Sequence, residues 1–131
     1  MPNQQASRFL GESLLPEERL RRRADFVRCY KRGRRQYGRL VTLHILRRGE
    51  EAEGPRLGIT VTRKVGGAVV RHKIKRRIRE SYRRWNQRRE LPPCDILVHV
   101  KPPASQANFE MLEGDLRRLL LMLIPRQHQA G

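Results

Sequence analysis

Residues 56 to 79 read RLGITVTRKVGGAVVRHKIKRRIR, and a change of hydrophobic period inside this stretch decides the fold class. Leu57, Ile59 and Val61 alternate with their neighbours, the pattern of a strand with one face in a core. Beyond Gly66 and Gly67 the period lengthens. Val70, Ile74, Ile78, Tyr82 and Trp85 recur at spacings of four and three through AVVRHKIKRRIRESYRRWNQRRE, the apolar stripe of a long helix. Leu91, Pro92 and Pro93 are expected to end it. The two glycines lack the spacing of a phosphate-binding loop and read as a tight strand-to-helix turn, where the helix N-terminus adds positive potential.

Upstream, LVTLHIL (residues 40–46) alternates in the same way, with Val41, Leu43 and Ile45 on one face, and RRGEEAEGP suits a hairpin-like connection to 56–62. Thr42, His44, Thr60 and Thr62 fall on the other face, predicting a polar sheet floor open to a ligand rather than a second core. Further back, Leu20, Ala24, Val27, Cys29 and Tyr30 predict a helix within 17–32, stopped by Gly33. Downstream, DILVHVK (95–101) reads as a strand. Asn108 is a candidate N-cap for a last helix with the stripe Phe109, Leu112, Leu116, Leu119 or Leu120, and Leu123. The order is helix, two or three strands, helix, strand, helix. Residues 1–13 and 126–131 are polar and aperiodic, so one domain is expected over 1–131, with its folded part at about 15–125 between mobile tails.

Of the 131 residues, 30 are Lys or Arg and 13 Asp or Glu, a formal charge of +17. The cations are concentrated: residues 19–39 hold ten against Asp25, and residues 63–89 hold twelve against Glu80. An ordinary solvated helix face mixes signs at i,i+4, and these faces do not, so they point to a polyanion, most simply nucleic acid. Arg71, Lys75 and Arg79 form one i, i+4, i+8 row, widened by Lys73, Arg76, Arg77, Arg83 and Arg84. Strands on both sides of this helix argue against a helix-turn-helix reader of DNA and for contacts to the backbone of a folded RNA.

Chemistry borne by side chains is poorly supplied. His44, His72, His99 and His128 show no metal-ligand spacing, no acid pair falls in a catalytic motif, and Cys29 and Cys94 read as free thiols. No apolar run approaches a membrane span, and the acid-bearing opening is unlike a signal peptide, so a cytoplasmic setting is expected. A purely structural RNA-binding protein of ribosomal type would share the size and charge. An anionic-membrane binder would need the apolar residues that the core takes.

The stretch 56–79 closely resembles the signature region of the bacterial ribonuclease P protein subunit. The likeness extends to RLRRRADFVRCYKRGRR (19–35), LPPCDILVHVKPPA (91–104) and NFEMLEGDLRRLL (108–120). It implies a small α/β (α+β) sandwich of about four strands and three helices, ordered α-β-β-β-α-β-α, with a left-handed βαβ crossover. It further implies a protein that assists a catalytic RNA in removing the 5′ leader of precursor tRNA. The RNA subunit would make the cut with Mg2+, and neither a protein active site nor an obligate protein partner is implied. By position, the resemblance places the catalytic RNA on Arg71, His72, Lys73, Lys75, Arg76 and Arg79. It places the leader in a cleft lined by Phe26, Tyr30, His44, Thr60 and Thr62, beside Lys64. His72 and Lys73 stand where Asn and Arg are usual, Gly67 where Asn is common, and His44 where an aromatic is frequent. Stacking on aromatics and contacts to phosphates would both tolerate a leader of varying sequence. Phe26 and Tyr30 either stack on leader bases or pack the first helix on the sheet. His44 and His99 belong either to the cleft or to half-buried strands.

Overall fold

The structure is a computed structural model and describes residues 14–49 and 54–125, so both expected tails lie outside the described residues. Three helices, α1 (Arg23–Arg32), α2 (Ala68–Arg84) and α3 (Phe109–Leu121), surround four strands: β1 (Arg34–Tyr37), β2 (Val41–Arg47), β3 (Arg56–Val61) and β4 (Cys94–Val100). Short 3-10 turns cover Pro16–Glu18, Asn86–Glu90 and Pro102–Gln106. The expected order α-β-β-β-α-β-α is the observed one.

The sheet runs β1-β2-β4-β3, with β1 and β4 antiparallel to β2 and β3 parallel to β4. This corrects the hairpin-like link between 40–46 and 56–62, because those strands are not neighbours. The Ile96-Leu97-Val98 run is buried on both faces, as a strand between two others must be, and it takes the place between them.

One face carries the main core. Val41, Leu43 and Ile45, Leu57, Ile59 and Val61, and Ile96, Val98 and Val100 meet Ile74, Ile78 and Tyr82 of α2 and Leu112, Leu116, Leu119 and Leu120 of α3. α3 begins as its sequence suggests, the Asn108 side chain accepting from the Met111 N–H at 2.8 Å. Less legible is Asp115, buried in the apolar stripe of α3. Its carboxylate accepts the backbone N–H groups of Arg39 (3.2 Å), Leu40 (2.8 Å) and Val41 (3.1 Å), and Arg118 adds a fourth donor at 3.0 Å. The β1–β2 turn is thereby tied to the last helix. Gly38 makes the approach possible, since a Cβ there would stand 2.5 Å from Asp115 Oδ2.

The opposite face is covered by α1 and differs from expectation in three ways. The helix begins at Arg23, because Leu20 is still extended and donates its N–H to the Leu57 carbonyl at 2.9 Å. Its inward residues are Asp25, Phe26, Cys29 and Tyr30, while Ala24 and Val27 are exposed. Beneath it lies a second small core of Leu20, Cys29 and Leu97, edged by Phe26, Tyr30 and Leu46, so this face is not simply a polar floor. Gly58 lets α1 settle there, as a Cβ would come within 2.9 Å of the Phe26 ring. α2 also ends earlier than the prolines imply: Trp85 adopts an extended conformation that turns its ring into the core, and 86–90 continue as a 3-10 turn.

Candidate nucleic-acid interface

On the face beneath α1, cross-strand register builds three rows of side chains. Arg56, Asp95 and Leu46 form the first, with Arg56 Nε and Nη2 each 2.8 Å from an Asp95 carboxylate oxygen and Asp25 of α1 3.6 Å from Arg56. Gly58, Leu97, His44 and Arg35 form the second, which α1 covers. Thr60, His99, Thr42 and Tyr37 form the third, running from one sheet edge to the other. α1 therefore closes one end of this face and leaves a groove at the other.

Tyr30 marks the boundary. Its hydroxyl is hydrogen-bonded to His99 Nδ1 at 2.8 Å, and its ring meets His44 edge-on with centroids 4.7 Å apart. Burial pushes the Tyr30 hydroxyl up, with the Thr60 side chain pulling the other way. Burial lowers His44, as do Arg35 and His99, and burial alone lowers His99. Both imidazoles are accordingly neutral at pH 7 and act as hydrogen-bonding groups rather than as cations.

The expected leader residues are thus brought together, in different capacities. Tyr30, His44 and Thr60 meet around His99. Phe26 sits deeper, against Gly58 and the second core. Thr42 and His44 are buried, at 7% and 6% exposure, so the floor is less open than its composition suggests. Thr60 and Thr62 are half-buried and Lys64 is exposed. The turn that follows, with the Val65 N–H on the Thr62 carbonyl at 3.0 Å, leads within a few residues to the N-terminus of α2.

Along α2, steps of 100° per residue divide the expected RNA contacts among three directions. Arg71, Lys75 and Arg79 flank the buried stripe on one side. His72 and Arg76 point away from the core. Lys73 lies beyond the other flank, where Arg77 stacks over Phe109 of α3 with its guanidinium carbon 5.4 Å from the ring centroid. A shallow depression lined by Ala68, Val69, His72, Lys73 and Arg76 opens at the start of the helix. Partial burial and then the neighbouring Arg19 draw the Arg79 guanidinium below its ordinary value, so Arg19 adds a cation to that flank. Among the described residues, no cation of α2 forms a salt bridge.

Nucleophilic chemistry has no good candidate in the cysteines. Both are free, and burial pushes Cys29 up to about 12 and Cys94 up to about 11, leaving them as inert thiols. Among the described residues no group of three or more His, Cys, Asp or Glu stands close enough to hold a metal ion, and no helix is long and apolar enough to cross a membrane.

Residues 14–123 match the family model described as Ribonuclease P. A ribonuclease P protein component from Desulfovibrio desulfuricans is 40% identical over 120 residues, covering 90% of this chain and 91% of the relative. One from Corynebacterium jeikeium is 32% identical and covers 86% of this chain and 99% of its own length. The solved RNase P protein of Staphylococcus aureus superposes with a TM-score of 0.73 at 31% identity, over 82% of this chain and 98% of that one. The chain belongs to the ribonuclease P protein family. It is the RNA-binding protein component of the ribonuclease P endoribonuclease, a tRNA-processing ribonucleoprotein that also contains an RNA subunit. A ribosomal-type structural role is not favoured.

Within this ribonuclease P protein, sequence reasoning leaves one part of the groove open between two readings and passes over another. His99 was separable from a core histidine only by its alternation with Asp95 and Leu97. β1, which brings Arg35 and Tyr37 onto the groove face, has the sequence RRQY and no apolar period at all.

Proposed function

We propose that this chain seats the RNA subunit on α2 and holds the single-stranded 5′ leader of precursor tRNA in the groove beside α1, as one RNA-binding domain working in the cytoplasm. The observation that carries this reading is the adjacency of the two surfaces: the Thr60–His99 row and the first turn of α2 are joined by the short turn through Thr62 and Lys64. Arg71, His72, Lys73, Lys75, Arg76 and Arg79 would meet phosphates of the RNA subunit from three sides of α2. In the groove, Thr60, Thr62 and Lys64 would contact the leader, while Phe26, Tyr30 and His44 shape its wall. Hydroxyl and ammonium contacts of this kind grip a backbone without reading base edges.

Bond cleavage belongs to the RNA subunit in this scheme. Magnesium would serve there, with the RNA subunit. The protein's share is to neutralise charge between two RNAs and to orient the leader, and it calls for no other protein. The test is cleavage of precursor tRNA by the RNA subunit at low magnesium, with and without this chain, together with the ratio of precursor to mature tRNA affinity. The protein should lower the magnesium demand and raise that ratio, and without RNA it should cut nothing. Turnover by nuclease-free protein alone, or an unchanged ratio, would overturn the scheme.

A further inference from the structure

Tyr37 is the most exposed aromatic among the described residues, at 67%, and it stands on the groove face at the end of the third row, opposite Thr42 on the edge strand β1. Phe26 is committed to the second core, Tyr30 is held by His99 and His44, and Tyr82 is in the main core. Tyr37 has no such commitment. Arg35, one strand period away on the same face, reaches its hydroxyl at 3.4 Å and forms no salt bridge among the described residues. A free aromatic face beside an unpaired guanidinium group is the pairing that single-stranded nucleic acid uses, base on ring and phosphate on cation. We infer that Tyr37, with Arg35, is a stacking platform for the precursor leader at the sheet edge farthest from α2, extending the leader track across all four strands.

This rests on the leader groove proposed above and adds a residue and a length to it. Three strand spacings separate Tyr37 from Thr60, roughly 14 Å, so only a leader long enough to cross the sheet would reach the platform. The experiment measures holoenzyme affinity for precursor tRNAs whose leader is trimmed one nucleotide at a time, using the wild type, Tyr37→Ala and Tyr37→Phe, with the melting temperature of each protein as a check on folding. With the full leader, Tyr37→Ala should bind about tenfold more weakly. With the shortest leader and with mature tRNA it should match the wild type, and Tyr37→Phe should behave as wild type throughout. Wild-type affinity in Tyr37→Ala, while the wild type still gains from a longer leader, would overturn the platform and spare the groove. An equal loss at every leader length, or in both variants, would assign Tyr37 a structural or hydroxyl role instead. A wild type indifferent to leader length would remove groove and platform together.

Discussion

Asp115 shows how much one side chain can decide. Burial alone would raise its pKa, but the N–H of Leu40, then Arg118, Arg39 and Val41, hold the carboxyl below its usual value. Asp115→Ala would leave three inward N–H groups without an acceptor, and at roughly 1 kcal/mol or more for each it should cost about 3 kcal/mol in a denaturant titration. Asp115→Asn, which keeps one acceptor, should cost less. The depressed carboxyl contributes stability that is present above its unfolded pKa and lost as pH falls through the folded value. His44 and His99 act in the same direction at a higher pH. Their folded pKa values lie below the unfolded value of about 6.5, so the unfolded chain binds more protons and stability should decline as pH drops below about 6.5. Thermal melts from neutral to mildly acidic pH would show this decline, and His44→Phe should make it shallower.

Among the elements, α2 carries the electrostatic prediction. Log affinity for the RNA subunit should fall linearly with log salt, by about 0.7 to 0.9 per phosphate contacted, and replacing Arg71, Lys75 and Arg79 together by Ala should flatten that slope by roughly two to three. A folded triple variant with the wild-type slope would move the RNA off this flank. For α1 the sensitive position is Gly58, where Ala would push against Leu20 and Phe26 and should destabilise by about 1 to 3 kcal/mol in thermal unfolding. The elements legible in the sequence were those with a strong period: β2, β3, β4, α2 and α3. α1 was placed with Cys29 and Tyr30 inward as expected, but its first turns face differently, because Val27 is apolar yet exposed while Asp25 is buried beside Arg56, an ion pair that no hydrophobic pattern reports. β1 was invisible, since RRQY is a strand only by virtue of the backbone of β2. Most of the groove could be named from resemblance, but its edge could not, because Tyr37 joins it through cross-strand register.

For the whole molecule, the ion pairs and the unpaired cations are set apart. Among the described residues, Asp25 and Asp95 pair with Arg28, Arg48 and Arg56 at the closed end of the α1 face, and Glu18, Glu113 and Asp115 pair with Arg88, Arg117 and Arg118, while the cations of α2 and β1 form no salt bridge. Added salt should therefore weaken RNA binding far more than it changes the melting temperature of the free protein, a contrast measurable on one preparation. The strand order has a consequence for how the protein is made. β4 is the last strand to leave the ribosome, yet it is the one to which both β2 and β3 are hydrogen-bonded. Until Cys94–Val100 emerge, the nascent chain holds a β1–β2 hairpin and a lone β3 with no shared neighbour, and its basic helix has no sheet to rest on. Folding is thus post-translational in character, closing late and over long sequence separations. The α2 face and the groove beside α1 arise in the same event, so a chain halted before Cys94 would keep most of the charge and possess neither.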